Sequence, residues 1–336
     1  MEKLNVAVVG ATGLVGEAIV SILEERNFPI ETLIPLASAR SAGRTMKFRE
    51  ETIPVMDLQS FDFNNTDLCF FSAGSDVSNE FAPKAAEQGA VVIDNTACFR
   101  YEDDIPLVVP EVNPKAVKFF SNRNIIANPN CSTIQLVVAL APIHNIAKIK
   151  RINVATYQSI SGAGRKALDL LNEQTQMALS GDDHKQEQSF AFNVIPQIDT
   201  FQKNDFTKEE MKLVWETQKI FNDYDLLVNA TAVRVPVRVG HSEAVSIQTE
   251  RVISPEQIRQ VLTQSQGIEI IDDTNEKLYP TPLIHGENTN VVYVGRIRKD
   301  YTLKNGINLW VVADNIRKGA ALNSVQIAEV LIKNYF

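Results

Sequence analysis

Residues 5–16 read Asn-Val-Ala-Val-Val-Gly-Ala-Thr-Gly-Leu-Val-Gly. The run from Asn5 to Gly10 is short, apolar and valine-rich, the composition of a buried strand. Past the glycines, Val15, Ile19, Ile22 and Leu23 recur at helical spacing. Strand, glycine turn and helix thus follow in order at the start of the chain. Glycines in such a turn allow a tight bend and close approach to a pyrophosphate, which then meets the free N–H groups and positive end of the helix. The spacing is GxxGxxG rather than GxGxxG, so the flanking strand and helix carry more of the argument than the motif itself. The alternative is a purely structural strand–helix turn. Gly10, Thr12, Gly13, Leu14 and Val15 are the candidate dinucleotide contacts.

Working outward, further apolar runs occupy Thr32–Ala37, Leu68–Ser72, Val91–Asp94 and Ile125–Ala127, with helix-like stretches between several of them. Strands alternating with helices predict an α/β domain of Rossmann type, a doubly wound parallel sheet. It closes near Asn128-Pro129-Asn130. The second half reads differently. A helix-like segment, Lys166–Leu179, stops at Ser180-Gly181, and β-type runs fall at Arg151–Ser159, Leu227–Val237, Ala244–Val252, Val291–Arg298 and Asn308–Ala313. That order predicts a second, α+β domain with a mixed sheet. Asp183–Gln188 is polar and reads as a surface loop. Asp314-Asn315 offers N-cap chemistry before Ala321, Val325, Ala328 and Ile332 at helical spacing, a last helix returning to the first domain. The expected division is 1–129 plus 314–336 for the nucleotide domain and 130–313 for the other.

With 336 residues, 44% of them hydrophobic, the chain can bury a substantial core, and its net charge of -8 has Lys and Arg spread throughout. That balance speaks against nucleic-acid and basic membrane-surface binding. The N-terminus has no signal-type apolar region, and no apolar run approaches the roughly 20 residues needed to span a membrane. Three cysteines, Cys69, Cys98 and Cys131, cannot all pair, so a reducing, cytoplasmic setting is expected. No metal is expected.

The second strand bears on cofactor type. An NAD site usually carries an acid at that strand's end for the ribose hydroxyls. Here the strand runs into Ala37-Ser38-Ala39-Arg40-Ser41-Ala42-Gly43-Arg44, without a carboxylate. Hydroxyls and a guanidinium suit a 2′-phosphate, so Ser38, Arg40 and Ser41 predict NADP. A solvated basic loop is the alternative.

Asn128-Pro129-Asn130-Cys131-Ser132-Thr133 is a turn leading into a hydrophobic run, which places Cys131 at a helix N-terminus. The dipole there lowers a thiol pKa and makes thiolate available. Cys69, inside an apolar run, is core filler, and nothing marks Cys98 as reactive. His241 stands in Arg234-Val235-Pro236-Val237-Arg238-Val239-Gly240-His241-Ser242, flanked by arginines and a glycine break. A lone histidine is usually structural, but beside a thiolate it is the natural general acid/base. An odd separation would turn Arg234 and His241 to opposite faces of a straight strand. Pro236 and Gly240 argue against a straight strand there.

These segments, with Tyr157–Gly164 (YQSISGAG) and Ala313–Ala321 (ADNIRKGAA), resemble bacterial aspartate-semialdehyde dehydrogenases over essentially the whole chain. NPNCST together with RVPVRVGHS is specific; the glycine turn is not. The resemblance implies oxidation of L-aspartate 4-semialdehyde with phosphate and NADP+ through a Cys131 thioester, in the aspartate pathway to lysine, methionine and threonine. It assigns His241 to the proton on the hemithioacetal oxygen and Gln158 to orienting the acyl group. Arg234 would hold the substrate carboxylate, Arg100 the phosphate with Lys212 beside it, and Glu209 the substrate amine, with Asn95 also at the substrate. Ser72, Gly74, Ser161, Gly162 and Asn315 match cofactor-facing positions. The second domain becomes catalytic and dimer-forming, which implies a homodimer. Residue by residue the plainer readings stay open: Gln158 as a polar strand end, Glu209 and Lys212 as a solvated helix pair, and Asp314 and Asn315 as caps. Among functions, N-acetyl-γ-glutamyl-phosphate reductase shares fold and thioester chemistry, and a non-catalytic paralogue is the remaining rival. Glyceraldehyde-3-phosphate dehydrogenase is disfavoured by the residues around Cys131 and by the second strand.

Overall fold

A computed structural model describes residues 3–182 and 189–336; the stretch Asp183–Gln188, expected as a surface loop and containing His184, lies outside the described residues. The chain divides into two compact units, Met1–Asn130 with Ala320–Phe336, and Cys131–Gly319. Residues 314–319 fall with the second unit.

The first unit runs β1 (Leu4–Val9), α1 (Leu14–Glu25), β2 (Ile30–Ala37), β3 (Thr45–Phe48), β4 (Glu51–Pro54), β5 (Met56–Asp57), β6 (Leu68–Phe71), α2 (Ser75–Glu87), β7 (Val91–Asp94) and β8 (Ile125–Ala127). Six strands form one parallel sheet in the order β5-β2-β1-β6-β7-β8. The order reverses at β1, which places the glycine turn at the switch point where such sheets bind ligands. β6 and β7 are buried at every position, as a sheet covered on both faces requires. Ile19, Ile22 and Leu23 of α1 share a core with Val325, Ala328 and Leu331 from near the C-terminus. Each of the larger side chains here, Ala328 apart, contributes about 1.5–3 kcal/mol on burial. The β3–β4 hairpin and the short β5 carry no strong periodicity in the sequence.

The second unit runs α3 (Cys131–Ala147), β9 (Ile149–Gln158), α4 (Arg165–Ser180), α5 (Lys208–Phe221), β10 (Leu227–Arg234), β11 (His241–Thr249), α6 (Pro255–Thr263), β12 (Ile268–Ile270), α7 (Pro282–His285), β13 (Val292–Asp300) and β14 (Gly306–Ala313); α8 (Leu322–Tyr335) belongs to the first unit. Its sheet, β10-β9-β11-β14-β13-β12, is mixed: β9 pairs parallel with β10 and antiparallel with β11. Along β9, Ile152, Val154, Thr156 and Gln158 point inward, while Arg151, Asn153, Ala155 and Tyr157 face the other side. α3 lies on the inner face and is buried from Ser132 through Ala141. A helix hydrophobic around its whole circumference belongs in a core. α5 starts at a capping box in which Thr207 Oγ accepts from Glu210 N while Glu210 Oε2 accepts from Thr207 N. α4 ends on Gly181 in the left-handed region.

The last helix differs from its sequence reading. Asp314 does cap a turn, its Oδ1 accepting from the Ile316 and Arg317 N–H groups. A wide turn over Arg317–Ala321 follows, and the regular helix begins only at Leu322. Asn315 is not a cap. Its side chain is drawn into a buried polar network.

Close packing at the glycine turn generates a test. A Cβ on Gly16 would lie 2.2 Å from the Gly10 carbonyl oxygen, so the α1 backbone is pressed against the turn. Gly16→Ala should lower stability by about 2–3 kcal/mol, read as a lower urea midpoint at unchanged slope.

Candidate active site

In the first unit, Gly10 adopts φ +84°, and a Cβ there would meet Ser72 Oγ and the Ala73 nitrogen at 3.0 Å. Ser72 is held by its own N–H and Oγ, both donating to the Val9 carbonyl. The β1 and β6 turns are therefore in contact, and no side chain caps the N-terminus of α1 at Gly13 or of α2 at Gly74. Thr12, Leu14 and Val15 line the α1 turn and are only partly buried. Uncapped N–H groups at two helix starts along one sheet edge fit the phosphates of a dinucleotide. After β2, Ser38 accepts from the Ser41 and Ala42 N–H groups, a tight turn that leaves Ser38 and Arg40 exposed and Ser41 buried.

Arg100 and Asn95 also lie in this unit. Arg100 is buried, its guanidinium donating to the Asn128 carbonyl at 2.9 Å and the Asn95 carbonyl at 2.8 Å. Asn95 donates to the Phe71 carbonyl and accepts from Ser324 Oγ. Asn128 in turn accepts from Asn323 Nδ2 at 2.7 Å. Both residues thus brace the loop that leads to Asn130.

The second unit gathers the remaining candidates. Cys131 is the first residue of α3 and is half-buried. Arg234 ends β10 and pairs in register with Gln158, the last residue of β9. His241 begins β11, one position beyond the paired Ser242 and Tyr157. Arg234, Gln158 and His241 therefore stand in a lateral row across three neighbouring strands. The sequence reading considered a bend within one strand. The structure ends β10 at Arg234 and starts a new strand at His241, with Gly240 at φ +91° in the connection.

A polar network holds this row. Gln158 Nε2 donates to Glu209 Oε1 at 3.1 Å, and Lys212 Nζ reaches Glu209 Oε2 at 2.8 Å and Asp199 Oδ2 at 3.0 Å. Glu209 is only 5% exposed, so this is no solvated helix pair. Burial lowers the Lys212 pKa, but Glu209 and Asp199 outweigh it and the net direction is up; the ammonium stays charged. Arg234 donates from Nη1 to the Ser159 carbonyl at 2.8 Å. Burial pulls its pKa down, against Glu209 and Cys131, which raise it. Cys131 is thus close enough to feel the guanidinium.

His241 is fully buried. Its Nδ1 accepts from the Ser159 N–H at 3.1 Å, with Ser159 Oγ at 3.0 Å. A backbone N–H can only donate, so the proton of the neutral imidazole sits on Nε2. Asn315 Oδ1 accepts from Ser159 Oγ, Ser161 Oγ and the Gly240 N–H at 2.9–3.1 Å. Ser161 and Asn315 therefore orient His241 through Ser159. Nε2 has no protein partner among the described residues and lies beside Gly162, where a Cβ would be 3.3 Å away. Ser159 went unremarked in the sequence; only its place in YQSIS beside Gln158 pointed to it.

Both halves match family models: the semialdehyde dehydrogenase NAD binding domain over residues 5–119 and the semialdehyde dehydrogenase dimerisation domain over residues 140–318. An aspartate-semialdehyde dehydrogenase of Shewanella sp. (strain DB6705) is 56% identical over 100% of this chain and 99% of its own length. Aspartate-semialdehyde dehydrogenase 2 of Vibrio cholerae is 53% identical over 100% and 99%. The crystal structure of aspartate semialdehyde dehydrogenase II complexed with ASA from Vibrio cholerae superposes with a TM-score of 0.98 at 53% identity, each chain covered completely. That of the Candida albicans enzyme with NADP gives 0.78 at 27% identity, covering 98% and 99%. Fold and parts define a two-unit oxidoreductase with an NAD(P)-binding domain. The chain belongs to the aspartate-semialdehyde dehydrogenase family.

Burial, with the Arg234 charge second, pulls the His241 pKa from 6.5 to about 3. The folded state therefore resists a proton that the unfolded chain accepts. This part of the stability is complete above pH 6.5 and is lost as pH falls towards 3, by up to about 1.4 kcal/mol per pH unit. Replacing the histidine (His241→Gln) should flatten the fall in urea-unfolding free energy between pH 6.5 and 5, compared with the unaltered chain.

Proposed function

We propose that the chain catalyses the reversible oxidation of L-aspartate 4-semialdehyde with phosphate and NADP+ to L-aspartyl 4-phosphate and NADPH, serving lysine, methionine and threonine synthesis. The observation that carries this reading is the row Arg234–Gln158–His241 beside Cys131, with Glu209 and Lys212 tied into it. Arg234 offers a charged fork to a substrate carboxylate, and Glu209 offers a carboxylate to the amine. Cys131, at the start of α3 and near Arg234, attacks the aldehyde carbon as thiolate. The hemithioacetal oxyanion so formed accepts a hydrogen bond from Nε2–H of His241, which stabilises its charge until the C=O bond reforms as hydride leaves. Gln158, fixed by Glu209, orients the acyl group. A bound nicotinamide would supply the hydride acceptor for the step that leaves a thioester on Cys131. Phosphate attacks the thioester carbon, the C–S bond breaks, and thiolate is regenerated with the acyl phosphate. Arg100 and Lys212 are each assigned to phosphate.

NADP rather than NAD is supported by exposed Ser38 and Arg40 after β2 with Ser41 beside them, and by the absence of a carboxylate from residues 37–44. Gly10, Thr12, Gly13, Leu14, Val15, Ser72 and Gly74 would contact the dinucleotide, with Ser161, Gly162 and Asn315 assigned to its nicotinamide end. The Candida albicans relative was crystallised with NADP. A homodimer is supported by the outer face of the mixed sheet, where the Tyr157 and Trp310 rings lie 5.4 Å apart, tilted by 52°, and Tyr157 is exposed. All three cysteines are free, which suits a cytoplasmic location. Among the described residues no helix is long and apolar enough to cross a membrane.

NADPH formation from L-aspartate semialdehyde, NADP+ and phosphate is the direct test. Turnover should depend on phosphate and fall by about 10⁴-fold or more in Cys131→Ala. Arg234→Leu should raise KM for the semialdehyde by about 10–100-fold. Turnover with N-acetyl-glutamate semialdehyde instead would identify the sister reductase, and silence on both would identify a non-catalytic paralogue. In solution, light scattering should give twice the 37.4 kDa chain mass.

A further inference from the structure

Two buried polar side chains lie one layer beneath this site and take no part in the chemistry above. Gln135 is four residues past Cys131 on α3, and Glu243 is two residues past His241 on β11. Residues four apart share a helix face and residues two apart share a strand face. The pair therefore lies one layer deeper on the same two touching elements, α3 and β11, that carry Cys131 and His241. Glu243 is 0% exposed and Gln135 1%. The register neighbours of Glu243 are Thr156 on β9 and Val311 on β14, and the next layer inward, Val154, Val245 and Leu309, is apolar and buried.

A polar group buried without a partner costs about 1–3 kcal/mol, whereas two apolar side chains of similar shape would cost nothing. Neither oxygen of Glu243 and neither amide atom of Gln135 has a hydrogen-bond partner among the described residues. Burial pushes the Glu243 carboxyl well above its ordinary range, and the side chain that acts against this is Gln135. A neutral carboxylic acid and a carboxamide are complementary: the acid O–H donates to the amide oxygen while the amide N–H donates to the acid carbonyl.

We propose that Glu243 and Gln135 are positioning residues whose side chains pair across the seam between β11 and α3 and hold Cys131 in place against His241. An ionised carboxylate at this depth would oppose the Cys131 thiolate, whereas the acid form ties the two elements without adding charge. The proposal rests on the reading of Cys131 and His241 as the reacting pair.

The test combines kinetics, melting and infrared spectroscopy on the full chain. Glu243→Leu and Gln135→Leu should each lower kcat by about 10–100-fold, with KM for the semialdehyde within about 3-fold, because Arg234 and Glu209 stand on other elements. Glu243→Gln, which preserves a complementary pair, should return kcat to within about 3-fold of wild type. The wild-type minus Glu243→Gln infrared difference at pH 7 should contain a protonated-carboxyl stretch. The double variant Glu243→Leu/Gln135→Leu should regain the melting temperature lost by either single change, but not kcat. A carboxylate band in place of the acid band, or recovery of kcat along with melting temperature in the double variant, would overturn the proposal. A wild-type chain with no semialdehyde oxidation would overturn the function reading instead, and the infrared band would still decide whether the acid pair exists.

Discussion

The second unit is organised around the cost of burying charge and polarity at one end of a sheet. Arg234, Gln158 and His241 lie inside, on the face that α3 covers, where an unpaired charge or dipole is expensive. Every member is therefore tied to something. Arg234 is anchored to the Ser159 carbonyl, Gln158 to Glu209, and His241 to the Ser159 N–H. Ser159 serves two of the three at once, its carbonyl on one side and its N–H on the other. The direction of its peptide dipoles decides which histidine nitrogen carries the proton.

The same cost sets the protonation states. His241 is neutral because burial and the Arg234 charge both disfavour imidazolium. Lys212 remains charged because two carboxylates, Glu209 and Asp199, are within hydrogen-bonding distance. A neutral imidazole with a fixed donor and a guanidinium, with Cys131 at the start of α3, offer an environment in which negative charge can develop on sulfur and then on oxygen without a solvent shell. Beyond Glu243 and Gln135 the inner face turns apolar at Val154, Val245 and Leu309, so the network is supported by a packed core.

The first unit solves a different problem. Its parallel sheet is buried on both faces, and its polar work is confined to the strand ends. Gly10 and Ser72 touch there, and two helices begin without side-chain caps. Arg100, Asn95, Asn128 and Asn323 brace the loop that precedes Cys131 through backbone carbonyls and one side-chain amide. Arginine is suited to this because its fork offers several donors in one plane.

Much was legible in the sequence, for physical reasons. Strands β1, β2, β6, β7 and β8 showed as apolar runs because a doubly covered sheet leaves them no polar face, and α4 was marked by its helical spacing and Gly181. Cys131 could be placed at a helix start because Asn-Pro-Asn cannot continue a strand into it. What the sequence could not carry were relations across strands. That Arg234 and His241 share a face depends on β9 lying between β10 and β11. That Asn315 serves Ser159 and Ser161 rather than capping α8 depends on contacts more than 150 positions apart. The histidine tautomer, the burial of Glu209 and the place of Glu243 beneath the site arise only when those strands pair. Periodicity records which side of an element is wet or dry, whereas the partner of each buried polar atom is chosen by tertiary packing.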